Sequence, residues 1–137
     1  MQFSRQLVTK VQQILRKYPF SVACFSLVWI LSLTPFFPPT PFDDIRLIDK
    51  WVHMVMYGGS CIVLWMEYMR HHPVPNYRRL FVGAFLLPVL MGGAIELIQT
   101  YCTTTRTGDW LDFLANSLGV TAAAVIGTLV AKIRATR

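Results

Sequence analysis

Four apolar stretches, at about 19–37, 50–69, 80–101 and 110–131, divide this chain, each near the length a bilayer crossing requires. A hydrocarbon core of roughly 30 Å takes about 20 helical residues to span. Inside it every backbone polar group must be satisfied internally, which leaves helices or a closed barrel. Runs this long and continuously apolar exclude the alternation of a barrel strand. The expected fold class is therefore an all-α integral membrane protein, a compact four-transmembrane-helix antiparallel bundle in a single domain, 1–137. The short connections force consecutive helices to be antiparallel neighbours. Composition agrees: 54% of residues are hydrophobic and 15% charged, against about 25% charged in soluble domains.

The net charge of +6 is unevenly placed. Arg5, Lys10, Arg16 and Lys17 precede the first stretch, Arg70, Arg78 and Arg79 join the second to the third, and Lys132, Arg134 and Arg137 follow the fourth. No acid stands among them. The other two connections mix Arg46, Lys50 and Arg106 with Asp43, Asp44, Asp49 and Asp109. The positive-inside rule puts both termini in the cytoplasm. The basic segments are suited to anionic headgroups, so the charge calls for no nucleic acid. The first stretch, behind a basic leader, could pass for a signal peptide. Its exit Pro35-Phe36-Phe37-Pro38-Pro39 has no small-residue cleavage site and argues for a retained anchor. Cys24 and Cys61 read as small hydrophobes. Cys102 has no evident partner, so no disulfide framework follows.

The polar residues are confined to one end. Asp49, His53 and Tyr57 (i, i+4, i+8) form a stripe on the second helix. Glu96 and Gln99 share a face of the third, and Asp109, Asp112 and Asn116 a face of the fourth. Lys50 and Arg106 stand beside them. In antiparallel spans these groups meet on the outer side, and intramembrane ionisable residues mark function by default. Gly92, Gly93, Gly119 and the Ala122–Ala124 run permit close helix approach there. Asp109 is expected to cap the fourth helix, and Asp49 either caps the second or joins the cluster. The bland alternative is a helix-locking network: Glu96 to Gln99 and His53, Asp112 to Arg106 or Asn116. Glu67, far down the second helix, is expected to pair with Arg70. His53, Glu96 and Asp112 match no metal motif such as H-E-x-x-H, and zinc needs at least three good ligands. No metal and no cofactor are expected, and Met54, Met56, Met66 and Met91 read as packing.

The ordered fragments Asp49-Lys50-x-x-His53-x-x-x-Tyr57, Glu96-x-x-Gln99 and Arg106-x-x-Asp109-x-x-Asp112-x-x-x-Asn116-x-x-Gly119 resemble the VanZ-like family of bacterial membrane proteins. The resemblance covers about 49–127 and implies a multi-pass protein of the bacterial cytoplasmic membrane. The family's founding member is associated with low-level resistance to teicoplanin, a lipid-tailed glycopeptide. A biochemical mechanism does not come with the resemblance.

The expected function is a non-enzymatic envelope protein whose outer polar cleft engages an amphiphile. Cell-wall lipid precursors, phospholipids and lipoglycopeptides meet that description, the head resting on Lys50, Arg106 and the carboxylates. No residue is assigned as catalytic. Two alternatives stay open: an intramembrane enzyme on lipid-linked substrates, motivated by His, Glu and Asp together, and an assembly or regulatory subunit of an envelope complex, alone or as a homo-oligomer.

Overall fold

The computed structural model describes residues 2–35, 41, 45 and 47–136, which are helical apart from short turns, with no strand among them. The elements are α1 (Gln2–Lys17), α2 (Pro19–Leu33), α3 (Ile48–His71), α4 (Tyr77–Cys102) and α5 (Trp110–Ala135). Asp43, Asp44 and Arg46, and the Phe36–Phe37 end of the first expected span, lie outside the described residues.

Helices α4 and α5, 26 residues each, are long and apolar enough to cross a membrane; at 1.5 Å per residue each is about 39 Å long. Their outward faces carry Leu87, Leu90 and Leu97 on α4 and Leu111, Leu114, Leu118, Val125, Leu129 and Ile133 on α5, all exposed. Apolar surface on that scale suits lipid rather than water. Helix α3 falls short of the same apolarity. It carries Asp49, Lys50, Glu67 and Arg70 near its ends and His53, Tyr57 and Ser60 within. The reason is positional: α3 is the central element, packed against both α2 and α5.

The basic leader is more than a leader. It forms α1, bent 97° against α2 at Tyr18-Pro19. Proline fits the first helical position, where its missing N–H is not needed, so α2 starts there on a new axis. Along α1, Leu7, Val8, Val11, Ile14 and Leu15 are exposed on one stripe, with Arg5, Lys10, Arg16 and Lys17 between them. That is the pattern of a helix lying in a membrane interface. Helix α4 changes to π-helical winding over Val82–Leu86, directly before Pro88. A proline there cannot donate to the carbonyl four residues back and crowds it, and a π-turn accommodates both defects.

The α3–α5 pair is the tightest contact in the molecule. Gly119 backs onto the Met54 carbonyl and Gly58, and Gly127 receives the Trp65 ring; a Cβ on either glycine would collide. With Ala123 and Ala131, both buried, they set a small residue at every fourth position of α5, which lets two helix backbones approach. The inner core between these helices and α2 holds Val28, Tyr57, Cys61, Ile95 and Val120. Its effect on function is to fix α3 and α5 in register, so that their outer polar stripes face each other.

Candidate functional site

Lys50 is the hub of the outer end. Its Nζ lies 2.7 Å from Asp49 Oδ2, 2.6 Å from Asp109 Oδ2 and 2.6 Å from Asp112 Oδ1. The lysine side chain is 17% exposed, while Asp49 and Asp109 form an exposed rim around it. Helix α3 supplies Asp49 and Lys50 from its first turn, and α5 supplies Asp109 from its N-cap and Asp112 from its first turn. Asp109 does two things at once. Oδ1 accepts from the Leu111 N–H and caps α5, as its position suggested, and Oδ2 holds Lys50. The lysine and the Leu111 N–H together hold the Asp109 carboxyl below the usual carboxylate range. Residue 47, just before α3, is a leucine at φ 62°, a left-handed conformation that is uncommon outside glycine. It turns the chain into α3 where Asp49 and Lys50 begin.

Beneath the rim, His53 links the hub to the interior. Its Nδ1 is 3.1 Å from Asn116 Oδ1, and its Nε2 is 3.7 Å from Asp112 Oδ2. Asn116 is 1% exposed and packs with Tyr57 against Gly92. Glu96, 3% exposed, enters from α4 and accepts the Asp109 N–H at Oε2, 2.8 Å. Gly108 is obligatory at this point, because a Cβ would run into the Glu96 carbonyl and Thr100 Oγ1. Four buried polar atoms around the centre have no hydrogen-bond partner: Glu96 Oε1, Tyr57 OH, Asn116 Nδ2 and Asp112 Oδ1, the last of them in ion-pair contact with Lys50. One nitrogen or oxygen from each of His53, Glu96 and Asp112 lies within 4.8 Å of the others.

Eight of the ten residues singled out by sequence thus gather at one centre: Asp49, Lys50, His53, Tyr57, Glu96, Asp109, Asp112 and Asn116. Gln99 and Arg106 work elsewhere. Gln99 Nε2 donates to the Ser32 carbonyl at 2.6 Å, and Arg106 Nη1 to Leu31 and Ser32 carbonyls at 3.2 and 2.9 Å. These are last-turn carbonyls of α2, which have no partners inside their own helix. A guanidinium there also complements the dipole. The network foreseen from Glu96 to Gln99 is therefore replaced by Glu96 to Asp109.

At the opposite end of α3, Glu67 turns to α2 rather than to Arg70. Its Oε1 accepts the Phe20 N–H at 3.0 Å, and its Oε2 accepts the Ser21 N–H at 2.8 Å and the Ser21 hydroxyl at 2.5 Å. Helix α2 has no side-chain cap of its own at Tyr18. Other parts of the chain thus supply both of its caps: the Glu67 carboxylate of α3 at the N-terminus, and at the C-terminus the Gln99 amide of α4 and the Arg106 cation of the α4–α5 connection. The one sequence signal was Tyr18 at the N-cap, where Ser, Thr, Asp or Asn ordinarily stands.

A groove of about 690 Å³, nearly all apolar, runs along α2 between Tyr18 and Ile30, walled by Phe25, Trp29, Leu87 and Met91. A small cavity of about 80 Å³ with a mixed polar and apolar lining opens between Glu96, Thr100, Asp109 and Trp110. Comparison of this chain with protein-family profiles, with characterised proteins and with solved structures returns no match.

Proposed function

We propose that this chain is a VanZ-like protein of the bacterial cytoplasmic membrane that binds the head of an amphiphile at the Lys50 centre. Its four spans run through α2, α3, α4 and α5, with both termini cytoplasmic and α1 lying on the inner leaflet. Helix α3 crosses despite its polarity because its neighbours shield it. The ligand class is a lipid-linked wall precursor, a phospholipid or a lipoglycopeptide such as teicoplanin.

The observation that carries this reading is the partly exposed Lys50–Asp49–Asp109–Asp112 cluster above half-buried His53 and buried Glu96, at one end of a largely apolar bundle. Polar groups so placed are costly in lipid and mark a site. The apolar groove along α2 supports the tail half of the reading, since its outer end at Ile30 adjoins the carbonyls held by Arg106. Lys50 and the Arg106 Nη1 already have oxygen partners, so they do not wait free for an anion.

The test is teicoplanin susceptibility of a sensitive Gram-positive host expressing the chain. Glu96→Gln and Asp112→Asn serve as variants at matched membrane abundance. Lower susceptibility that both variants lose is the expected result. Full activity in the variants overturns the site. No effect in the wild type, with no binding of wall-precursor lipid or anionic phospholipid in nanodiscs, overturns the amphiphile. The convergence of His53, Glu96 and Asp112 favours one second reading, acid–base chemistry on such a lipid. Chemical change in a labelled lipid precursor separates an enzyme from a binder.

A further inference from the structure

Glu96 is the anomaly of the outer end. A carboxylate can accept about four hydrogen bonds, yet this one, 3% exposed, accepts a single backbone N–H and leaves Oε1 without a partner. Lys50 supplies its charge to Asp49, Asp109 and Asp112 and makes no ion pair with Glu96. Buried charges are ordinarily paired or bind metal.

The surroundings of Glu96 have the makings of a ligand set. With Asn116 Oδ1 facing His53 Nδ1, that nitrogen donates, which leaves Nε2, the atom nearer Asp112, for a metal. A metal-binding histidine is commonly fixed in this way, its second nitrogen donating to an oxygen. Nε2 and Asp112 Oδ2 are 3.7 Å apart. Too long for a hydrogen bond, that gap is close to the roughly 3.4 Å between two ligands in a tetrahedral shell with 2.0–2.2 Å bonds. One ligand atom of Glu96 lies within 4.8 Å of one from each of His53 and Asp112, a spacing that small side-chain adjustments would close around a cation.

We propose that His53, Glu96 and Asp112 bind a divalent first-row transition-metal cation of the zinc type, bridging α3, α4 and α5. One imidazole with two carboxylates suits such a cation better than calcium or magnesium, which take oxygen ligands. Asp112 serves two cations, Lys50 through Oδ1 and the metal through Oδ2. Asn116 acts through His53 as a positioning residue. A site with three protein ligands keeps a coordination position open, and a bound cation inverts the sign of an acidic pocket. The centre then accepts the phosphate or carboxylate of an amphiphile head that the carboxylates alone would repel. For that anion the proposal rests on the function proposed above; for the metal it does not.

The experiment uses the full chain, purified in mild detergent through a tag without histidine, stripped with EDTA and dialysed against zinc. No amphiphile is present, so failure here and failure of the amphiphile reading are distinguishable. About one zinc per chain is expected in the wild type, absent from His53→Ala and Glu96→Gln. Affinity should be about 10–100-fold weaker in Asn116→Ala, the usual effect of losing an outer-shell partner. Zinc should also raise the thermal midpoint of the wild type and leave that of Glu96→Gln unchanged. The proposal is overturned if the stripped wild type takes up no zinc, or if Glu96→Gln and His53→Ala bind it as the wild type does. Should those two variants fail to fold, unchanged affinity in Asn116→Ala overturns it.

Discussion

Glu67 and Glu96 are two buried glutamates near opposite ends of the bundle, 5% and 3% exposed, and they are treated in opposite ways. Glu67 has partners at both oxygens, which accept three hydrogen bonds from the first turn of α2. Glu96 accepts one N–H and keeps an oxygen unpartnered among other ionisable groups. Burial alone therefore does not distinguish the two carboxylates; the unfilled acceptor capacity of Glu96 does. The inner glutamate fastens one helix to another. The outer one keeps an oxygen that no described residue engages.

The largest expected effect comes from removing the outer hub. Lys50→Met leaves three carboxylates facing one another, and breaking its largely buried pair with Asp112 costs about 3 kcal/mol or more. Chemical denaturation in detergent should show it, and a loss below about 1 kcal/mol would mean that the cluster is solvent-screened. Next is Glu67→Ala, which strands two backbone N–H groups at the start of α2 and should cost about 2–3 kcal/mol. The same variant should bind zinc like the wild type, because no ligand is touched. Glu96→Gln should do the reverse, abolishing the outer site's activity for about 1 kcal/mol or less of stability, since the amide still accepts the Asp109 N–H. If Glu96→Gln destabilised the protein as much as Glu67→Ala, the contrast between the two ends would collapse.

The smallest effect is on pH dependence. Lys50 and the Leu111 N–H hold the Asp109 carboxyl below its ordinary value. A depressed folded-state pKa contributes stability that is complete above the unfolded value, about 3.9, and is lost as pH falls through the lower folded value. The thermal midpoint of the wild type should accordingly fall only in acid below about pH 4. Asp109→Asn should begin lower at neutral pH and show a shallower acid limb. Equal acid limbs would show that the rim ion pair is not held.

Much of this was legible in the residues. The i, i+4, i+8 and i, i+3, i+7 spacings put Asp49–His53–Tyr57 and Asp109–Asp112–Asn116 on facing stripes, and the structure joins them. Asp109 has the chemistry and position of a cap and is one. The amphipathic α1 was written in its sequence too, as Leu7, Val8, Val11, Ile14 and Leu15 among basic residues. Attention to charge alone conceals that stripe. The partners of Glu67, Gln99 and Arg106 were not legible, since each serves α2, dozens of residues away in the chain.

By itself the sequence determined the helical class, the two apolar helices α4 and α5, and the helix faces shared by Asp49, His53 and Tyr57 and by Asp109, Asp112 and Asn116, because helical periodicity and hydropathy are local properties. Tertiary structure alone decided which of those polar groups satisfy one another. Helix ends carry unmet N–H and C=O groups that draw in whatever side chain packing brings near. Gly119 and Gly127 let α3 and α5 close so tightly that His53 and Asp112 come together, while Glu96 is left with an oxygen to spare.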